Sequence, residues 1–153
     1  MWAVDCALPM NLSLNALFRI LNMKSYTDIE QSRKLAEFMP IESADMWWPY
    51  YYDIISDTGE YDKEPMLHKP VCGPDKALPC WSLAALFEGV LPLEVETHKQ
   101  TDGHKIYYYV EAYIPPRRNK GKEIYLSTVR HENLVDACIE MIFTLKQRNL
   151  LQC

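Results

Sequence analysis

An α+β domain is what this sequence predicts: a small antiparallel sheet of three to four strands with two or three helices packed on one face. Three observations point there. Residues 105–114 sort strictly into two faces, directly after an Asp102-Gly103 pair of the kind that turns a hairpin. Leu134, Ala137, Cys138, Met141, Ile142 and Leu145 recur at the spacing that lays one face of a helix on a core. The composition, 48% hydrophobic and 24% charged over 153 residues, suits one globular domain with room for a core.

Taken in order, residues 1–22 stand apart. Leu12 to Leu21 is apolar but broken by Asn15 and Arg19, and Leu14, Leu17, Phe18 and Leu21 fit an amphipathic helix. A secretory signal does not fit, because the basic residue falls inside the apolar stretch rather than before it. Met23-Lys24 makes a natural start, so residues 1–22 are expected to be a non-core extension of a domain over 23–153. A helix is expected from Thr27, where Thr27-Asp28-Ile29-Glu30 reads as a capping box, to Phe38 or Met39, with Pro40 ending it. Ala44 to Ile55 is too aromatic and β-branched for a helix and carries Pro49, which predicts an edge strand interrupted there. Residues 56–78, with two glycines and three prolines, read as a long polar loop. Pro79-Cys80-Trp81-Ser82 opens a short helix, from Trp81 or Ser82 to about Gly89, with Leu83, Leu86, Phe87 and Val90 as its stripe, ended by Gly89 and Pro92.

Strand periodicity begins at Leu93-Val95-Thr97, turns over Thr101–His104, and returns along Lys105–Ile114. Ile106, Tyr108, Val110, Ala112 and Ile114 share one face; Tyr107, Tyr109, Glu111 and Tyr113 share the other. After Pro115-Pro116 a basic turn over 117–122 leads to a third strand, Glu123–Ser127. The final helix has Glu132 and Asp136 near its start and Lys146 and Arg148 near its end, as the helix dipole prefers. Asn149 suits a left-handed C-terminal position with Leu150 folding back.

Several function classes find no footing in these residues. The five cysteines, at 6, 72, 80, 138 and 153, match no zinc ribbon or redox pair, and free thiols in a reducing, cytoplasmic setting are expected. No apolar run is long enough to span a membrane. A zinc set of His68, Cys72 and Cys80 has no structural spacing and lacks a fourth ligand. The acidic run Asp57, Glu60, Asp62, Glu64 lacks the pattern of a calcium loop. Histidines 68, 98, 104 and 131 accompany no nucleophile motif, and the five glycines form no phosphate cradle. No catalytic, cofactor-binding or metal-binding residue is therefore assigned.

One surface stands out. Tyr107, Tyr109 and Tyr113 share a strand face beside Arg117, Arg118, Lys120 and Lys122, an arrangement that can stack bases and hold phosphates. Against this, the net charge is −5, and tyrosines half-buried under a helix would look the same in sequence. A second aromatic group, Trp47, Trp48, Tyr50, Tyr51 and Tyr52, suits either protein contacts or internal packing.

Four stretches in this order also carry a resemblance: Glu30-Gln31-Ser32-Arg33-Lys34-Leu35, Glu42-Ser43-Ala44-Asp45-Met46, Pro79 to Leu86, and Leu134 to Ile142 closing on Asn149-Leu150-Leu151. Over residues 27–151 the chain resembles short uncharacterised proteins of Bacteroides-type gut bacteria, their prophages and other mobile elements. The resemblance leaves out residues 1–22. It implies an intracellular accessory protein of a mobile element and gives no residue a role. Two functions stay open: an adaptor acting by protein contacts, as a homo-oligomer or with another protein, and a nucleic-acid-binding accessory protein using the tyrosine and basic hairpin.

Overall fold

The computed structural model describes residues 24–53, 57–69, 77–91, 94–116 and 121–151. The extension expected over 1–22 lies outside them.

Helix α1 (Ile29–Ala36) does carry a capping box, one residue later than expected. Asp28 Oδ1 accepts from Gln31 N at 2.8 Å, and Gln31 Oε1 accepts from Asp28 N at 3.2 Å. Thr27 turns inward instead and is fully buried. Phe38 and Met39 lie past the helix in a turn, where Met39 N still reaches Leu35 O at 2.8 Å.

A 3₁₀ turn (Ile41–Ser43) leads to strands β1 (Met46–Trp48) and β2 (Tyr50–Asp53), divided at Pro49 as the sequence predicts. The long loop expected over 56–78 needs correction. Its first part returns as β3 (Thr58–Tyr61), antiparallel to β2, and its end becomes β4 (Leu78–Cys80), antiparallel to β1. Glycine makes the first pairing fit: a Cβ on Gly59 would lie 2.1 Å from the Tyr50 hydroxyl oxygen, so the ring covers bare backbone. Pro79 and Cys80 thus belong to a strand that ends just before the helix expected from Trp81 or Ser82. Ser82 caps the following helix, α2 (Leu83–Ala85), which continues as a π turn over Leu86–Val90.

Strands β5 (Val95–Asp102), β6 (Lys105–Ile114) and β7 (Ile124–Ser127) form an antiparallel sheet in the order β5-β6-β7. Asp102 pairs with Lys105, so the hairpin loop is Gly103-His104, with Gly103 at φ 58°. The expected single sheet is thus one of three strands, accompanied by the two-stranded pairs β1-β4 and β2-β3. Helix α3 (Leu134–Gln147) is capped by Asn133 and ends as predicted: Asn149 has φ 55°, and Leu150 N reaches back to Leu145 O.

The core lies between α3 and one face of β6. Val135, Cys138, Met141, Ile142 and Leu145 meet Val110, Ala112, Ile114 and Leu126 there. Trp81, Leu86 and Leu35 extend this core under α1 and α2, so α+β packing with the helices on one sheet face holds.

Candidate functional site

Burial of Val110, Ala112 and Ile114 against α3 decides the rest of β6. By strand alternation, Tyr107, Tyr109, Glu111 and Tyr113 must stand on the opposite face. The register then selects their neighbours. On β5, Gln100 lies opposite Tyr107, His98 opposite Tyr109 and Glu96 opposite Glu111. On β7, Tyr125 lies opposite Tyr113 and Ser127 opposite Glu111.

These residues interact across the strands. The His98 ring stacks on Tyr109 with centroids 4.7 Å apart and planes at 12°. Its Nε2 lies 3.2 Å from Glu111 Oε2 and 3.8 Å from Glu96 Oε2. Tyr113 and Tyr125 meet at 4.9 Å, tilted by 35°. Around this pair opens a cleft of about 510 Å³, with Glu94, Glu96 and Glu111 among its lining and, among the described residues, no cationic side chain. Desolvation raises the Tyr113 phenol, and the carboxylates of Glu123 and Glu94 push it the same way. A shallower hollow of about 370 Å³, lined by Gln100, Tyr109 and residues 127–130, adjoins the first at Ser127. Among the described residues the first cleft is lined by tyrosines and carboxylates, while Arg130 lines the second hollow.

The three tyrosines singled out from sequence therefore do share one open face. Arg117, Arg118 and Lys120 lie outside the described residues, and Lys122 is exposed just before β7. Sequence reasoning missed His98, Glu94, Glu96 and Tyr125. A signal for the β5 residues existed: counting back from the Asp102-Gly103 turn pairs position 98 with 109 and 96 with 111.

The second aromatic group divides. Trp48 is buried and its indole N–H donates to Ser32 Oγ at 3.1 Å, whereas Tyr51 is exposed and Lys69 Nζ sits 4.9 Å from the Trp47 ring centroid. Of the zinc set considered, His68 is exposed, Cys80 is fully buried, and Cys72 lies outside the described residues. Among the described residues no group of three or more His, Cys, Asp or Glu is placed to hold a metal. Burial raises the Cys80 thiol to about 11 and Cys138 to about 12, which keeps both in the unreactive protonated form. The short contact of His131 Nε2 with Glu140 Oε2, at 2.5 Å, pins the segment before α3 onto that helix. No described helix is long and apolar enough to cross a membrane.

Comparison with known proteins finds no matching family model, no matching curated protein and no matching solved structure.

Proposed function

We propose that this protein is a binding module that acts through protein contacts on the open face of the β5-β6-β7 sheet. One observation carries the reading: four tyrosines from two neighbouring strands stand on the side of the sheet away from α3, Tyr113 and Tyr125 among them line a cleft, and Tyr125 keeps 73% of its surface exposed. Tyrosines supply large contact area at low entropy cost and are enriched at protein interfaces. A nucleic-acid reading would use the same tyrosines, but Glu94, Glu96 and Glu111 stand among or beside them and repel phosphate. We also propose an accessory role in a mobile element, which the genes neighbouring this one would test.

The direct test selects random linear peptides on the full chain and maps the selected binders by amide chemical shifts. The proposal expects shifts at Tyr107, Tyr109, Tyr113 and Tyr125, with Tyr109→Ala weakening binding severalfold. Binders that map elsewhere would overturn it. So would single-stranded DNA or RNA that binds this face more tightly than about 100 μM at 50 mM salt, the weak end of non-specific association.

A further inference from the structure

We infer that the outer edge of β5 pairs with the same edge of a second copy of this chain, antiparallel and centred on Thr97. The inference goes beyond the proposed binding face and does not depend on what that face takes.

Strand alternation fixes which backbone groups the edge offers. Tyr113 N donates to Glu94 O, which sets the bonding phase between β5 and β6. On the other side of β6, Tyr108 N donates to His131 O, and Val110 O accepts from Thr128 N. Residues 108, 110 and 112 of β6 therefore turn their backbone groups away from β5. Lys99, Thr97 and Val95 stand opposite them in register, so their N–H and C=O groups point to the outer edge, and Thr101 follows by the same alternation. β5 ends the sheet order, and Thr97, Lys99 and Thr101 are exposed. Among the described residues no hydrogen bond reaches these outward groups. Such a row of donors and acceptors is a template for another strand.

The side chains select which strand. β5 runs in unbroken register over 8 residues with no proline or bulge, and its one guard against pairing is Lys99. Several self-pairings bring the outward donors to acceptors, and most of them fail. Centred on Lys99, two ammonium groups meet and Glu96 faces Asp102. Centred on Glu96, two carboxylates meet; centred on His98, imidazole meets imidazole. Centred on Gln100, Thr97 falls against Gly103, which the turn holds at φ 58°, out of the strand. Centred on Thr97, Lys99 lies against Val95, and Glu96 of each copy lies opposite His98 of the other. Two-fold symmetry makes that contact twice. These are non-hydrogen-bonded positions, where opposing side chains come closest, and an imidazole N–H can donate to the carboxylate. Stacking on Tyr109 already holds the His98 ring in place. Within one chain Glu96 Oε2 lies 3.8 Å from His98 Nε2, outside hydrogen-bonding range. The pairing joins two three-stranded sheets into one, with both tyrosine faces on one side and both α3 helices on the other.

The test follows the full chain by sedimentation equilibrium. Its mass is expected to rise from 17.9 kDa toward twice that value between about 1 μM and 1 mM. Thr97→Pro removes a donor that the chain itself does not use, so this variant should fold and stay monomeric. With Cys6, Cys72 and Cys153 changed to serine, Thr97→Cys should give a disulfide-linked dimer on mild oxidation. Facing Cα atoms of a hydrogen-bonded pair lie about 5.5 Å apart, within disulfide reach. Thr101→Cys in the same background should not link. Glu96→Lys should weaken the dimer severalfold, and adding His98→Glu should restore it. A chain that stays monomeric throughout overturns the inference and leaves the edge to a strand of another protein. So does a dimer that survives Thr97→Pro, or one that Thr101→Cys links as readily as Thr97→Cys. If Thr97→Pro fails to fold, the exchange of Glu96 and His98 decides, and no recovery in the double variant refutes the pairing.

Discussion

Thr27 and Ser32 look like ordinary helix-start residues, yet both are fully buried. Their hydroxyls share a hydrogen bond of 2.7 Å; Trp81 N donates to Thr27 Oγ1 at 3.1 Å, and Trp48 Nε1 donates to Ser32 Oγ. Each side chain thus satisfies a tryptophan-residue N–H that the core would otherwise strand. Ser32→Ala removes the acceptor from a buried indole, at a cost of about 1–3 kcal/mol. At about 2–4 °C per kcal/mol for a chain of this size, a lowered melting temperature is expected in calorimetry; an unchanged one would show that Trp48 finds another partner. The two buried thiols give a second prediction. Their folded pKa values, about 11 and 12, lie above the unfolded value of about 8.5, so the protonated form is favoured in the fold. Their stabilising contribution is complete below about 8.5 and is lost as pH rises toward the folded values. Stability measured by urea titration should fall over that alkaline range, and Cys138→Ala should make the decline shallower. At pH 8 a thiol reagent should label Cys80 and Cys138 only as fast as the chain opens.

Among the elements, α3 is the one most fully specified by its own residues. Met141→Asp or Ile142→Asp places an unpaired charge at a fully buried site, a cost of several kcal/mol against a typical total of about 5–15, so both variants should be insoluble or molten. Lys146 lies on the exposed side of α3, but its ammonium sits 3.5 Å from the centroid of the Phe38 ring. Lys146→Asp should therefore fold, with a loss of about 0.5–1 kcal/mol from the broken cation–π contact. Identical behaviour of all three variants would refute the assignment of the buried face. The β2-β3 hairpin depends on one backbone approach. Gly59→Ala must push the Tyr50 ring away and disturb its edge contact with Tyr61, at 5.1 Å. Amide exchange in 58–61 should quicken while α3 stays protected; uniform protection would mean that the ring shifts without loosening the strand.

At the scale of the whole molecule, the described chain is closed by its first residues. Leu83 N donates to Ser25 O and Thr27 N to Trp81 O, which ties residues 25–27 to the start of α2. Lys24 Nζ reaches Asp28 and Asp136 at 2.9 Å and Gln31 at 2.6 Å, so one ammonium joins the N-terminal ends of α1 and α3. Burial alone would raise the Asp28 carboxyl, but the Gln31 N–H and Lys24 outweigh it and hold it below its usual range. A chain shortened to begin at Met23 keeps every one of these contacts and should melt within a few degrees of the full chain. A fall beyond about 8 °C, more than 1 kcal/mol would cause at this size, would show that residues 1–22 carry part of the stability. Shortening further, to begin at Thr27, should be clearly destabilising.

The sequence by itself determined α3, its left-handed end at Asn149, and the division of β6 into a core face and a tyrosine face. Each of those follows from a period or a single φ preference carried by neighbouring residues, which no distant contact needs to supply. Only the tertiary structure decided which of Thr27 and Asp28 caps α1, because both are good caps and the buried bond to Ser32 claims the threonine. It also decided that Thr58–Tyr61 is a strand. Gly59 and Glu60 at its centre have little strand preference of their own, and pairing with β2 and the Arg33 guanidinium over Tyr61 hold the segment extended. The character of the open face was decided in the same way. On β6 alone it reads as tyrosines beside a basic turn, but the register with β5 and β7 adds His98, Glu96 and Tyr125. A face is the sum of three strands, and its charge belongs to their register rather than to any one of them.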